Sequence, residues 1–481
     1  MAKTAAPNRA WPARRLSPEG TEVVILCFEG PDRYSRAGGL GVRVTHLART
    51  LAADFGFTTH LIFVGDPGLA GYEEDLDGRL RLYRWCQWIS RYYPAGVYEG
   101  EMEKLYDFNE TVPYHVTERI ARPAVAAGRN LLVLSEEWHT AHALCELSDQ
   151  LYGSGLRSHG LLVWNANNTM GFDRINWGRL GYIATITTVS RYMKHVMWGR
   201  GINPLVVPNG IPEADTRPVS ARNAAVLRRA VEAAGGQVLL VKVGRFDPDK
   251  RWLMAIDAVA ALKARGMEPR LIMRGGIEAH EQEVLARAHG AGLRVMPVHS
   301  SPSTSAAELA QIIAQHPEVD VFNLKFFVSE GLLRTLYRAA DCVLANSGVE
   351  PFGLVGLEVM GAGGIPFTGA TGEDYAVPFV NAIVLETDDP REIAYYVQLI
   401  SRSPELAEQL REEAVRTAAR FAWPRVVRQL LERLEYVADA LGLQGYMAPA
   451  QPVHAGEISE AAATFEEGTR GRWPKTSSYI R

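Results

Sequence analysis

The sequence predicts an α/β protein built from two doubly wound parallel-sheet domains in tandem, facing each other across a cleft. Three observations carry this. Short apolar runs alternate with amphipathic stretches almost from end to end, the pattern of strands buried on both faces and the helices that cover them. The alternation pauses once, after Pro208-Asn209-Gly210, and starts again at Gln237. The 481 residues and an apolar fraction of 47% suffice for two full-size cores.

The elements follow in order. After an N-terminal extension (1–20), the first domain (21–210) opens on the run Val23 to Phe28. A helix follows whose Val44, Leu47, Ala48 and Leu51 share one face. Leu131 to Leu134, Leu161 to Trp164 and Ile186 to Val189 read as further buried strands. An interdomain linker (211–236) holds a helical run near Ala221 to Ala234. The second domain (237–422) carries strands at Gln237 to Val243, Leu271 to Met273, Cys342 to Ala345, Gly364 to Phe367 and Ala382 to Leu385. Ser403-Pro404-Glu405 is a helix start with proline in the first turn. A C-terminal helix (423–442) shows the stripe Val427, Leu430, Leu431, Leu434, Val437. The remainder (443–481), rich in Ala, Pro, Glu and Ser, is expected to be a loosely ordered tail.

Composition excludes several classes. With 51 Lys and Arg against 55 Asp and Glu, the net charge is −4, so no general excess of cations serves nucleic acid. No apolar stretch reaches the roughly 18 residues that span a bilayer, and no secretory-type apolar run follows Arg9, Arg14 and Arg15. Cys27, Cys86, Cys145 and Cys342 form no C-x-x-C pair. A cytoplasmic enzyme is expected.

Three segments carry candidate chemistry. Arg36-Ala37-Gly38-Gly39-Leu40-Gly41 joins the first strand to its helix. Glycines let a ligand approach the backbone and the helix start offers N–H groups to an anion; the alternative is a tight strand-to-helix turn. The spacing is neither G-x-G-x-x-G nor a P-loop. Arg245 and Lys250, five residues apart just after a strand, suit the two charged groups of a diphosphate; the alternative is solvated surface charge. In Asn346 to Gly364, a strand ends, Glu350-Pro351 turns, and a helix starts near Gly353, aiming the amides of Phe352, Gly353 and Leu354 outward. Glu358 lies inside that helix. Two carboxylates at one helix mouth call for ligand hydroxyls or cations as partners; the alternative is a capping acid plus a surface acid.

A Glu followed after seven residues by a second Glu, placed after a strand, resembles the signature of retaining glycosyltransferases of the GT-B fold. The chain looks most like family-four enzymes and the glycogen and starch synthases over roughly 21–437. Arg36-Ala-Gly-Gly-Leu resembles their Lys-Thr-Gly-Gly-Leu loop, and Glu137-Trp138-His139-Thr140-Ala141 their Asp-Trp-His-Thr-Ala. Asn167-Asn168-Thr169 stands where they carry a His-Asn pair. Thr187 to Ser190, Val207 to Ile211 and Gly244-Arg245 with Lys250 match further. The resemblance implies two Rossmann-like domains and a nucleotide-diphosphate sugar as donor, with no cofactor and no metal. By it, Arg245 and Lys250 hold the donor diphosphate, with Arg36, Gly38 and Gly39 reaching it from the other domain. Glu358 binds the ribose. Glu350 and the amides of Phe352, Gly353 and Leu354 contact the sugar, as does His139 from across the cleft. Asn168 is taken for the acceptor side.

Tyr83, Trp85, Trp88, Tyr92, Tyr93, Tyr98, Tyr106, Phe108 and Tyr114 place nine aromatics in 32 residues, against 9% in the chain. Trp85 and Trp88 are candidates for an acceptor platform; the alternative is a core or oligomer contact. The expected reaction moves a hexosyl, in first place glucosyl, group to a carbohydrate or other hydroxyl acceptor such as an α-glucan. A small-molecule or lipid acceptor, or a GT-B sugar-nucleotide epimerase, is the alternative. A dinucleotide-dependent oxidoreductase fails on the glycine spacing, and a non-catalytic binding protein on the presence of every charged site residue. A homo-oligomer is compatible with the sequence.

Overall fold

The computed structural model describes residues 15–443 except Val349, Ala370 and Thr371. Most of the N-terminal extension, and the expected tail beyond 443, lie outside the described residues. The first sheet comprises β1 (Thr21–Leu26), β2 (Thr58–Val64), β3 (Tyr72–Asp75), β4 (Leu80–Trp85), β5 (Asn130–Glu136), β6 (Gly160–Ala166), β7 (Thr185–Thr188) and β8 (Leu205–Val206). Their order is β3-β4-β2-β1-β5-β6-β7-β8, parallel except for the antiparallel edge strand β3. The second sheet comprises β9 (Val238–Val243), β10 (Pro269–Arg274), β11 (Val295–Val298), β12 (Val321–Leu324), β13 (Cys342–Ala345), β14 (Pro366–Thr368) and β15 (Ile383–Val384). It is ordered β11-β12-β10-β9-β13-β14-β15.

Alternate residues of each central strand enter different cores, which is why these strands read as unbroken apolar runs. Val24 and Leu26 of β1 pack with the helix Glu101–His115, whereas Val23 and Ile25 pack with the helix Gly39–Ala53. Leu240 of β9 faces the helix Trp252–Ala264, and Leu239 and Val241 face the helix Ala221–Ala233. The helical run that the sequence places in the linker therefore covers the second sheet.

The chain crosses between domains twice, and the crossings touch. Ile211 N donates to Phe421 O at 2.9 Å and Trp423 N to Ile211 O at 3.0 Å. A Cβ at Gly210 would come within 2.7 Å of the Trp423 ring, so the crossing needs glycine there. The C-terminal helix Trp423–Ala440 then returns to the first domain, burying Val426, Val427, Leu430 and Leu434 against Val44, Leu47 and Leu51. No helix of the described residues is long and apolar enough to cross a membrane.

Candidate active site

The second domain supplies one rim of the cleft. Gly244, at φ +154°, turns the chain out of β9 in a conformation side-chain-bearing residues rarely adopt. It leads into the turn that carries Lys250 and Arg245, the latter exposed, with no side-chain hydrogen bond or ion pair among the described residues but with its charge acting on the Glu278 carboxylate. Lys250 Nζ meets Glu350 Oε1; the two side chains are 21% and 25% exposed. A hundred residues apart in sequence, they meet because β9 and β13 are neighbours in the sheet. Gly353, at φ +78°, is the N-cap of the helix Leu354–Ala362, with no side chain occupying its cap. Phe352 is buried against Tyr375 and Phe421, and the Tyr375 hydroxyl holds Gly353 O.

Glu358 is half-buried on that helix and lines an interdomain cavity of about 270 Å³ with Asp215, Glu330, Arg334, Leu354 and, from the first domain, Arg43 and His46. Burial, then the charges of Asp215, Glu330 and Glu350, push its carboxyl up to about 7. Burial and Glu330 likewise push Asp215 up. Arg334 Nη1 pairs with Asp215 at 3.1 Å.

The first domain supplies the facing wall. Glu137 adopts φ +70° and its Oε1 accepts from the amides of Asn167 (2.6 Å) and Asn168 (3.2 Å). Burial pushes this carboxyl up to about 8. The strained turn sets up Trp138 and His139. His139 is 4% exposed, stacks on Phe28 and Trp138 with ring centroids 4.5 and 4.0 Å away, and places Nε2 2.7 Å from Glu101 Oε1. Its buried Nδ1 has no partner among the described residues. Burial lowers its pKa despite the pull of Glu101. His139 lines a cavity of about 490 Å³ with Arg174 and Asn176.

The glycine loop differs from expectation. Three of its amides are taken: Glu29 Oε2 accepts from Ala37 (3.2 Å), Gly38 (3.1 Å) and Gly41 (3.0 Å), and Tyr98 donates to Glu29 Oε1 at 2.7 Å. The chain past β1 bends a carboxylate onto the helix start, the position expected for an external anion. Arg36 is exposed and donates to Pro31 O at 2.8 Å. A Cβ on Gly38 or Gly39 would meet nothing within 4 Å, so the space outside these two residues is clear.

Trp85, Trp88 and Asn168 are not among the walls of the His139 cavity or of the cavity beside Arg36. Trp85 Nε1 donates to Thr111 at 2.7 Å, Trp88 is 63% exposed, and Asn168 Oδ1 closes a local turn on Met170 N at 2.7 Å. His139 and the Lys250–Glu350 pair stand on opposite domains with no described contact. Sequence reading passed over the buried network beneath the cleft floor: Arg43 Nε to Glu136 at 3.2 Å, Arg43 Nη1 to Asn209 at 2.6 Å, and Asn165 and Asn167 to Glu136 at 2.8 and 2.7 Å. Its members look like ordinary polar residues until the strand ends converge. Among the described residues no group of three or more His, Cys, Asp or Glu could hold a metal ion.

Two facing doubly wound sheets, with cations and a helix N-terminus on the second rim and the last helix returned to the first domain, define the GT-B class. Within that class, residues 224–417 match the profile of the family Glycosyl transferases group 1, and the chain is a GT-B protein resembling the family-four enzymes. A protein named D-inositol 3-phosphate glycosyltransferase from Geodermatophilus obscurus is 29% identical over 307 residues, 63% of this chain. The match spans 62% of that relative's own length, less than two thirds of it. Sucrose-phosphate synthase from Thermosynechococcus elongatus shares the fold with a TM-score of 0.59 at 18% identity, covering 87% of this chain and 100% of that one. The catalytic domain of Starch Synthase IV from Arabidopsis thaliana, bound to ADP and acarbose, gives 0.57 at 15% identity, covering 88% and 100%.

Proposed function

We propose that this chain is a retaining glycosyltransferase that moves a hexosyl group from a nucleotide-diphosphate sugar to an acceptor hydroxyl without a divalent metal. The observation that carries the reading is the second-domain rim, where Lys250 and Glu350 meet beside exposed Arg245 and the Gly353-capped helix. Breaking a sugar–diphosphate bond builds negative charge on the leaving group. Arg245, Lys250 and the helix-terminal amides are preorganised to receive it. Glu350 then turns to the sugar hydroxyls and Glu358 to the ribose. From the facing wall, His139 lines the cavity of about 490 Å³ and contacts the sugar. On this reading attack comes from the face the leaving group vacates, and the departing phosphate takes the acceptor's proton.

An α-glucan is the first acceptor to try. A specific observation favours a small phosphorylated polyol or sugar instead. Arg33 and Arg36, both exposed and neither paired with a carboxylate among the described residues, line a first-domain cavity of about 740 Å³ with Tyr34, Tyr98 and the carboxylates Asp66 and Glu99. Two guanidiniums with two phenols suit a phosphate joined to a ring of hydroxyls, and the name of the Geodermatophilus relative contains such an acceptor. The test is nucleoside-diphosphate release from ADP-, UDP- and GDP-sugars in excess EDTA, with a short α-glucan or with inositol and hexose phosphates. Release accelerated by one acceptor class supports the reading and selects the acceptor. Silence across the panel, or reversible loss in EDTA alone, contradicts it.

A further inference from the structure

Strand β9 carries a lysine where its register calls for an apolar residue. Val238, Leu240 and Lys242 point to one face of the sheet, and the first two sit in an apolar core with Trp252 and Leu271. Lys242 is 2% exposed. Its Nζ donates to Leu344 O at 3.2 Å and to Asn346 Oδ1 at 2.5 Å, and it stands 5.1 Å from the Trp252 ring centroid. Leu344 lies in β13 and Asn346, fully buried, directly follows it. Four residues beyond Asn346 comes Glu350; two residues beyond Lys242 the chain leaves β9 for Arg245 and Lys250. The buried ammonium thus joins the two strand ends that carry the Lys250–Glu350 pair.

A buried charge is costly to the fold. The charge is explained by what lies above it. We propose that Lys242 is a positioning residue for the donor diphosphate, pinning the Asn346 end of β13 to β9 and placing a positive charge beneath the Lys250–Glu350 pair. This rests on reading that pair as the diphosphate site.

The charged and titratable groups facing Lys242 are Lys250 and Arg251 from the turn after β9, and Glu350 and Cys342 from β13 and its turn. Burial, then Lys250, bring its ammonium down to about 7. A diphosphate seated above favours the charged form and raises that value. The contribution to affinity is therefore complete below about pH 7 and fades as pH rises from there through the bound-state value.

The experiment is calorimetric titration of the full chain with UDP, ADP and GDP from about pH 6 to about pH 9, for wild type, Lys242→Met and Lys242→Arg. Lys242→Met is expected to bind about tenfold more weakly at the acid end, with the gap from wild type narrowing toward the alkaline end, and to lose some Tm because Asn346 Oδ1 is left without its donor. Lys242→Arg is expected to retain the acid-end affinity. The difference between wild type and variant separates Lys242 from the phosphate's own titration. Lys242→Met binding as tightly as wild type at every pH overturns the proposal. So does a parallel loss of affinity and Tm in both variants, which marks a structural role only. Wild type that binds none of the three nucleotides overturns the donor-site reading and the proposal with it.

Discussion

Glu350→Gln separates two roles that one ion pair conceals. In the unliganded site Lys250 Nζ is held by Glu350, and both side chains are about a quarter exposed. An incoming diphosphate has to take Lys250 from this partner. A partly exposed pair of this kind is worth about 0.5–1 kcal/mol, so releasing Lys250 should tighten nucleoside-diphosphate binding by about 2- to 5-fold. If Glu350 contacts the sugar as proposed, the same substitution should lower transfer by at least about 100-fold. Lys250→Ala acts with the opposite sign on binding. It deletes a charge-assisted contact worth about 1.5–3 kcal/mol and weakens the diphosphate by about 10- to 150-fold, also abolishing transfer. Neither change should move Tm by more than a few degrees, because no buried group loses its only partner. Calorimetry with the nucleoside diphosphate, release assays with its sugar ester and thermal melts read the three quantities. Glu350→Gln that weakens the diphosphate as strongly as Lys250→Ala, or near-normal transfer by either variant, refutes the reasoning.

Three further outcomes follow from the geometry. His139→Ala should lower turnover more than donor affinity, because on the proposed reading His139 contacts the sugar rather than the diphosphate; steady-state kinetics showing the reverse would make it a binding residue. Glu358 is held at about 7 by burial and its acidic neighbours, and a ribose hydroxyl donating to the ionised form lowers that value on binding. Its contribution is present above about pH 7 and lost as pH falls through the bound-state value, so the affinity ratio of wild type to Glu358→Gln should shrink on acidification; a ratio independent of pH contradicts the ribose assignment. Arg43→Met leaves Glu136, 2% exposed, without its cation and should cost about 3–5 kcal/mol. Urea unfolding followed by tryptophan fluorescence checks this, and an unchanged midpoint contradicts it.

How much of this could be read from sequence depended on whether a side chain's partner lay nearby in the chain. Cys342 to Ala345 stands out as a strand because its residues are apolar on both faces, and β13 has those bounds. β2 is less visible: Thr58, Thr59 and His60 open it, and buried His60 finds its partner in Glu22 of β1 at 2.6 Å. The helix Ala221–Ala233 shows its period plainly, but only the second sheet reveals that it covers a core rather than linking domains. In the site, Lys250 and Glu350 each stand out because they follow strands and match family motifs, but their contact with each other, like that of Lys242 beneath, depends on β9 lying next to β13. Lys242 is conspicuous as a lysine in an apolar run; its partner Asn346 requires knowing that β9 lies next to β13, which local pattern does not encode. Glu29 was passed over for the same reason, since nothing in Phe28-Glu29-Gly30 shows that the carboxylate folds back onto amides eight to twelve residues later. The aromatic segment divides: Phe108 joins the core, while Trp88, Tyr92 and Tyr106 remain exposed.

The central claim is that the second-domain rim holds a donor diphosphate. A crystal structure of the chain soaked with the nucleoside diphosphate that binds it best tests this most directly. The account predicts phosphate oxygens about 3 Å from Arg245 and Lys250, with the ribose against Glu358 and the Lys250–Glu350 contact opened. A nucleotide seated elsewhere, with that pair still closed, would contradict it.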